Sequence, residues 1–111
     1  MEVKYYKTYS GRSVLLEFIE GLPVELREEF FEAILKLQKG EQLKMPLSRP
    51  LSNIAKGLHE LRLKDRSGIY RLFYCLRVCQ VVYVIHGFKK KTDKLPIREI
   101  RVIHRRLKEI R

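Results

Sequence analysis

Gly57-Leu58-His59-Glu60-Leu61-Arg62-Leu63-Lys64 passes through Asp65-Arg66-Ser67-Gly68 into Ile69-Tyr70-Arg71-Leu72-Phe73-Tyr74, and this stretch decides the fold. In its first half Leu61 and Leu63 alternate with Glu60, Arg62 and Lys64, the period of two expected of a strand with one buried face. Asp-Arg-Ser-Gly is turn chemistry. The residues behind it are apolar and aromatic enough for a central strand. The stretch reads as an antiparallel hairpin that carries arginine and lysine inside strand sequence. Like charges on one sheet face repel, so basic side chains gathered there suggest a seat for an anion, phosphate above all.

Working outward, Cys79–Phe88 is a third strand, joined to Ile69–Arg77 by a tight connection near Arg77–Val78. Lys89-Lys90-Lys91 follow it. Ile97–Arg111 reads as a helix opened by Pro96, with Ile100, Ile103, Leu107 and Ile110 inward and Arg98, Arg101, Arg105 and Lys108 as a second stripe. On the other side, residues 41–57 read as irregular, with Pro46, Pro50, Ser48, Ser52 and Asn53. Val14–Gly40 reads as a helical hairpin. Ser13 is its N-cap, Gly21 ends the first helix, Pro23 stands at N1 of the second, and Leu26, Phe30, Ile34 and Leu37 form an inner stripe. Val3 to Tyr6 is a weak first strand. The expected architecture is one α+β domain over residues 1–111, with the N-terminal strand and helical hairpin packed on a small antiparallel sheet. The basic sheet face is expected to be open.

The chain has 111 residues, 24 Lys and Arg against 13 Asp and Glu, and a formal charge of +11. Residues 1–40 hold six basic and seven acidic side chains, residues 41–85 eight and three, residues 86–111 ten and three. An excess concentrated toward one end points to nucleic acid, an acidic membrane surface or an acidic protein, with solubility alone as the plainer account. No apolar run approaches the roughly 20 residues that span a bilayer, and no signal peptide is apparent. A cytoplasmic protein without membrane attachment is expected. Cys75 and Cys79 imply no disulfide framework and read as reduced thiols in or near the core.

His59, His86 and His104 are far apart, and neither cysteine has a partner at a common ligand spacing, so no metal and no cofactor are expected. No phosphate loop, nucleophile elbow or acidic pair appears. Arg62, Lys64, Arg66, Arg71, Lys89 and Lys90 remain as donors able to surround a scissile phosphate. Such a set suits metal-independent RNA cleavage, in which the ribose 2′-OH attacks phosphorus and arginine and lysine stabilise the phosphorane. His59 and His86, or a lysine whose pKa the neighbouring cations lower, are the candidate general bases near this region, although His59 shares the strand parity of Leu61 and Leu63. Lys91 and Lys94, with Arg98, Arg101 and Arg105, are candidate RNA contacts or a solvated face. Glu60 fits an ion pair with Arg62 or Arg71 more simply than a base.

Gly57-Leu58-His59-Glu60-Leu61-Arg62, Tyr70-Arg71-Leu72-Phe73-Tyr74 and His86-Gly87-Phe88-Lys89-Lys90-Lys91-Thr92 together resemble the HigB-like, phage-derived branch of the RelE/ParE toxin superfamily. The resemblance covers nearly the whole chain. It implies the RelE-like fold and a ribosome-dependent endoribonuclease that cuts messenger RNA, held inactive by a cognate antitoxin of the helix-turn-helix type. It also implies partners in messenger and ribosomal RNA. By motif position the family's basic site residues fall on Arg62 and Lys64, on Arg71, and on Lys89 or Lys90. The C-terminal tyrosine of RelE has no counterpart, since no tyrosine follows Tyr83, whereas HigB-type members use histidines. Two other classes stay open: a ParE-like inhibitor of DNA gyrase, and a non-catalytic nucleic-acid-binding relative.

Overall fold

The computed structural model describes residues 1–8, 10–11, 13–76, 80–91 and 94–110. The elements run β1 (Glu2–Tyr5), α1 (Val14–Glu20), α2 (Val24–Gln38), β2 (Ser48–Pro50), β3 (Leu58–Asp65), β4 (Gly68–Leu76), β5 (Val81–Lys90) and α3 (Ile97–Glu109). The expected hairpin forms as β3–β4, with Arg62 opposite Arg71 and Asp65 opposite Gly68. Its turn is held by Asp65 Oδ1, which accepts from the Ser67 amide at 2.8 Å and the Ser67 hydroxyl at 2.6 Å. Those bonds, the Ser67 hydroxyl first, hold the Asp65 carboxyl below its ordinary value.

The α+β architecture is the expected one, with two corrections to the sheet. It has five strands in the order β1-β5-β4-β3-β2, and it is mixed, because β1 pairs parallel with β5 while the other pairs are antiparallel. Residues 41–57 are not wholly irregular: Ser48–Pro50 forms an edge strand that sets Arg49 opposite Glu60. Prolines hid it, yet an edge strand tolerates proline because one side needs no ladder donor. The expected connection at Arg77–Val78, and Cys79 with it, lies outside the described residues. Cys75 is buried.

The helical hairpin forms as expected. Ser13 Oγ accepts from the Leu16 amide at 3.1 Å and caps α1. Pro23 stands one position earlier than expected, at the N-cap of α2. At the far end Gly40, with φ of +84°, closes α2: its amide donates to Leu37 O and that of Glu41 to Lys36 O. Leu26, Phe30, Ile34 and Leu37 are all buried, against Leu61, Leu63, Leu72, Val82 and Val84 of the sheet. Gly87 lets α1 approach that closely, since a Cβ there would lie 2.8 Å from the Phe18 ring and 3.3 Å from Leu72.

The opposite sheet face is not open along its whole length. α3 packs on it, placing Ile103 with Leu58, Phe73 and Ile85 in a second core, bordered by half-buried Leu107 and Ile110. The amphipathic stripe of α3 needed an apolar surface, and the side of the sheet left by the helical hairpin supplies it. The basic face is thereby confined to the end of the sheet that α3 leaves uncovered.

Candidate nucleic-acid interface

Cross-strand pairing sorts the expected site residues by face. Arg62 pairs with Arg71, which pairs with Phe88; Lys64 pairs with Ile69, which pairs with Lys90. Residues opposite one another share a face, so Arg62, Lys64, Arg71 and Lys90 belong together. Lys89 and His59 do not join them. Lys89 lies opposite Tyr70 and sits over its ring at 5.4 Å. His59 stacks on Tyr74 at 5.1 Å between centroids, on the helical-hairpin side. Arg66 is exposed in the β3–β4 turn, and Lys91, Lys94, Arg98, Arg101 and Arg105 are exposed around and along α3.

Glu60 organises the arginines. Its carboxylate is fully buried and faces Arg71 Nε at 3.4 Å, Arg62 Nε at 3.8 Å and Arg49 Nη2 at 3.8 Å. These separations exceed those of charge-assisted hydrogen bonds, so the contacts are ion pairs. Burial divides the three arginines into two kinds. The Arg71 side chain is 3% exposed, whereas Arg62 and Arg49 keep 37% and 46% of theirs in solvent. Arg71 is enclosed beside the carboxylate, and the other two keep part of their side chains in solvent. Beside the segment that leads into β2, Arg62 and Lys64 also line an open cleft of about 400 Å³ with Glu29, Pro46 and Leu47.

His86 lies one row further along the same face, behind Phe73, and its ring is enclosed by α3. Nε2 is 2.8 Å from Glu99 Oε1, and Nδ1 is 3.2 Å from Arg106 Nη1. A guanidinium only donates, so Nδ1 accepts and the proton sits on Nε2, donated to Glu99. Burial holds the imidazole below its ordinary value, only partly offset by Glu99. His86 is therefore a neutral linker between β5 and α3 with both nitrogens engaged. Burial likewise lowers His59.

Three residues of this neighbourhood were missed in the sequence. Arg49 needed the unexpected edge strand. Glu99 and Arg106 were legible in principle: with Ile103 they are spaced four and three apart, on the inward stripe of α3. Arg106 also donates to Ile85 O at 2.8 Å, and its guanidinium lies 4.4 Å from the Tyr6 ring centroid. Among the described residues no group of three or more His, Cys, Asp or Glu is placed to hold a metal ion.

Fold and site together define a small basic α+β domain whose sheet presents arginines ordered by one buried carboxylate. The family model described as "Phage derived protein Gp49-like (DUF891)" matches residues 17–108, and the chain belongs to that family. No curated protein matches the chain. Among solved structures it is similar to a chain of the intact E. coli RelBE toxin–antitoxin complex, with 20% identity, a TM-score of 0.47, and coverage of 82% of this chain and 98% of that one. Among the described residues no helix is long and apolar enough to cross a membrane.

Proposed function

We propose that this protein is the toxin of a toxin–antitoxin pair and acts as a ribosome-dependent endoribonuclease on messenger RNA. The observation that carries the reading is the ratio around Glu60: three guanidinium groups share one buried carboxylate, and two of them, with Lys64 alongside, reach solvent. A sheet face with surplus donors suits a phosphate, and a pre-arranged set stabilises the extra charge of a phosphorane formed by 2′-OH attack. Arg62 and Lys64 would contact the reacting phosphate, with Lys90 on the same face, while Arg71 and Glu60 hold Arg62 in place. Membership of a phage-derived family and the sequence resemblance to HigB-like toxins support the same reading. A helix-turn-helix antitoxin is the partner this reading names, and messenger and ribosomal RNA on the cytoplasmic ribosome are its targets.

A second reading, a nucleic-acid binder without RNA chemistry, is favoured by the histidines: His59 faces the other side and His86 has both nitrogens engaged. Mapping RNA 5′ ends on translated messages after induction separates the readings. The control is the double variant Arg62→Ala/Lys64→Ala, at one half-buried and one exposed position, with its fold checked by circular dichroism. New ends within codons, absent in the variant, are the expected result. Growth arrest with intact messages and a DNA-damage response would instead mark a gyrase inhibitor, and no arrest the non-catalytic binder.

A further inference from the structure

At the β1 edge of the sheet, away from the arginine cluster, a cleft of about 610 Å³ is lined by Tyr5, Tyr6, Lys7, Tyr83, Glu109 and Ile110. Its volume falls within the roughly 300–1,000 Å³ typical of small-ligand sites. Three tyrosines in one cleft are not explained by the phosphate site. The ring of Tyr6 is fixed in place, because its hydroxyl donates to the Glu109 carboxylate and the Arg106 guanidinium packs on it. Tyr83 is half-buried on β5, with Lys4 Nζ 5.9 Å from its ring centroid. The exposed stripe Arg98, Arg101, Arg105 and Lys108 ends beside this cleft, since Glu109 and Ile110 form part of its wall. Over those turns α3 advances about 15 Å, a reach of a few nucleotides.

Aromatic rings at the end of a basic track are the two elements of single-strand recognition: the track follows the backbone and the rings stack bases regardless of sequence. We propose that the cleft between β1 and the end of α3 receives one base of a single-stranded RNA, stacked on Tyr83 and bordered by Tyr6, whose phosphates run along the α3 arginine stripe. The inference rests on the RNA reading above but not on cleavage. An acidic protein would be held by the stripe alone and would have no use for the rings.

The test measures binding of a labelled ten-nucleotide single-stranded RNA by anisotropy across a salt series, which needs no catalysis. Tyr83→Leu keeps an apolar side chain and removes the ring; it is expected to weaken binding at least fivefold, from the roughly 1–3 kcal/mol of a base–aromatic stack, with the salt slope unchanged. Arg101→Ala/Arg105→Ala is expected to flatten the slope by about 0.7 for each phosphate that no longer meets a cation. Binding by Tyr83→Leu within twofold of wild type overturns the stacking site. So does displacement of the RNA by polyglutamate as readily as by unlabelled RNA, the result expected of a seat for acidic protein. If Tyr83→Leu unfolds, titrating the intact protein with adenosine monophosphate while recording aromatic proton shifts decides the matter: the Tyr6 and Tyr83 rings must shift, and unmoved rings overturn the proposal. A protein that cleaves nothing yet passes these tests removes only the nuclease reading.

Discussion

Replacing Glu60 with glutamine keeps its shape and removes the charge that faces Arg71, Arg62 and Arg49. The cost is set by burial. Glu60 is fully buried and the Arg71 side chain is 3% exposed, so that guanidinium remains where water cannot replace the missing carboxylate. Removing one partner of a buried pair costs about 3–5 kcal/mol. The 3.4 Å contact is an ion pair rather than a short hydrogen bond, which places Glu60→Gln near about 3 kcal/mol. For a domain of this size that lowers Tm by roughly 12 °C. Arg62→Ala removes a pair whose cation is 37% exposed and is expected to cost less than about 1 kcal/mol. Urea and thermal unfolding followed by circular dichroism read both. The double variant Glu60→Leu/Arg71→Met, which leaves neither charge buried, is expected to recover part of the stability. A Glu60→Gln effect no larger than that of Arg62→Ala, or a double variant less stable than the glutamine variant, refutes a buried network centred on Glu60.

Three further outcomes follow from the same geometry. His59 and His86 both have folded-state pKa values below the ordinary one through burial, so the unfolded chain takes up their protons first. Their contribution is fully present above about pH 6.5 and is lost as pH falls through the lowered folded values; unfolding free energy measured from pH 8 to 5 should drop, and His86→Leu should flatten part of that drop. Gly87→Ala sets a methyl 2.8 Å from the Phe18 ring and is expected to cost roughly 1–3 kcal/mol by overpacking, partly relieved by Phe18→Leu in a double-mutant unfolding experiment. Arg62→Ala and Lys64→Ala should each flatten the salt dependence of single-stranded RNA binding by about 0.7, whereas Lys89→Ala, on the other face over Tyr70, should leave it within error.

The hairpin was legible because alternation and turn residues are local signals: Leu61 and Leu63 against Arg62 and Lys64 dictate a face before any partner is known. The helical stripe of α2 was legible for the same reason. What stayed hidden depended on which strands meet. Nothing local tells that β1 runs parallel to β5, or that an edge strand bounded by prolines brings Arg49 opposite Glu60. The bulge at Phe73/Tyr74 shows the same limit on β5, for it sets His86 opposite Phe73 and leaves Ile85 unopposed. Parity already separated His59 from Arg62, yet the resemblance kept both as site candidates, and the structure leaves them on opposite faces.

Burial also changes what a loss of function at Arg71 would mean. Arg71 stands among the donors expected around a phosphate, but its head group faces a buried carboxylate and is shielded from solvent. Arg71→Ala would strand Glu60 without its closest cation and disturb Arg49 and Arg62 through the same carboxylate. Inactivity of that variant follows equally from a disordered site and from a missing ligand, so it identifies neither. Arg62 and Lys64 carry their charge at the surface and can be removed without that ambiguity. Under the proposed function the residues nearest the centre of the sheet hold the site in place, and those toward its open edge would meet the anion. Proton transfer is not similarly provided for by the sheet: among its strands the histidine on this side, His86, already donates to Glu99 and accepts from Arg106. Under the proposed function this face serves charge stabilisation most plainly, and the proton of the 2′-OH would pass to a lysine of the face or to a group that the bound RNA brings to it.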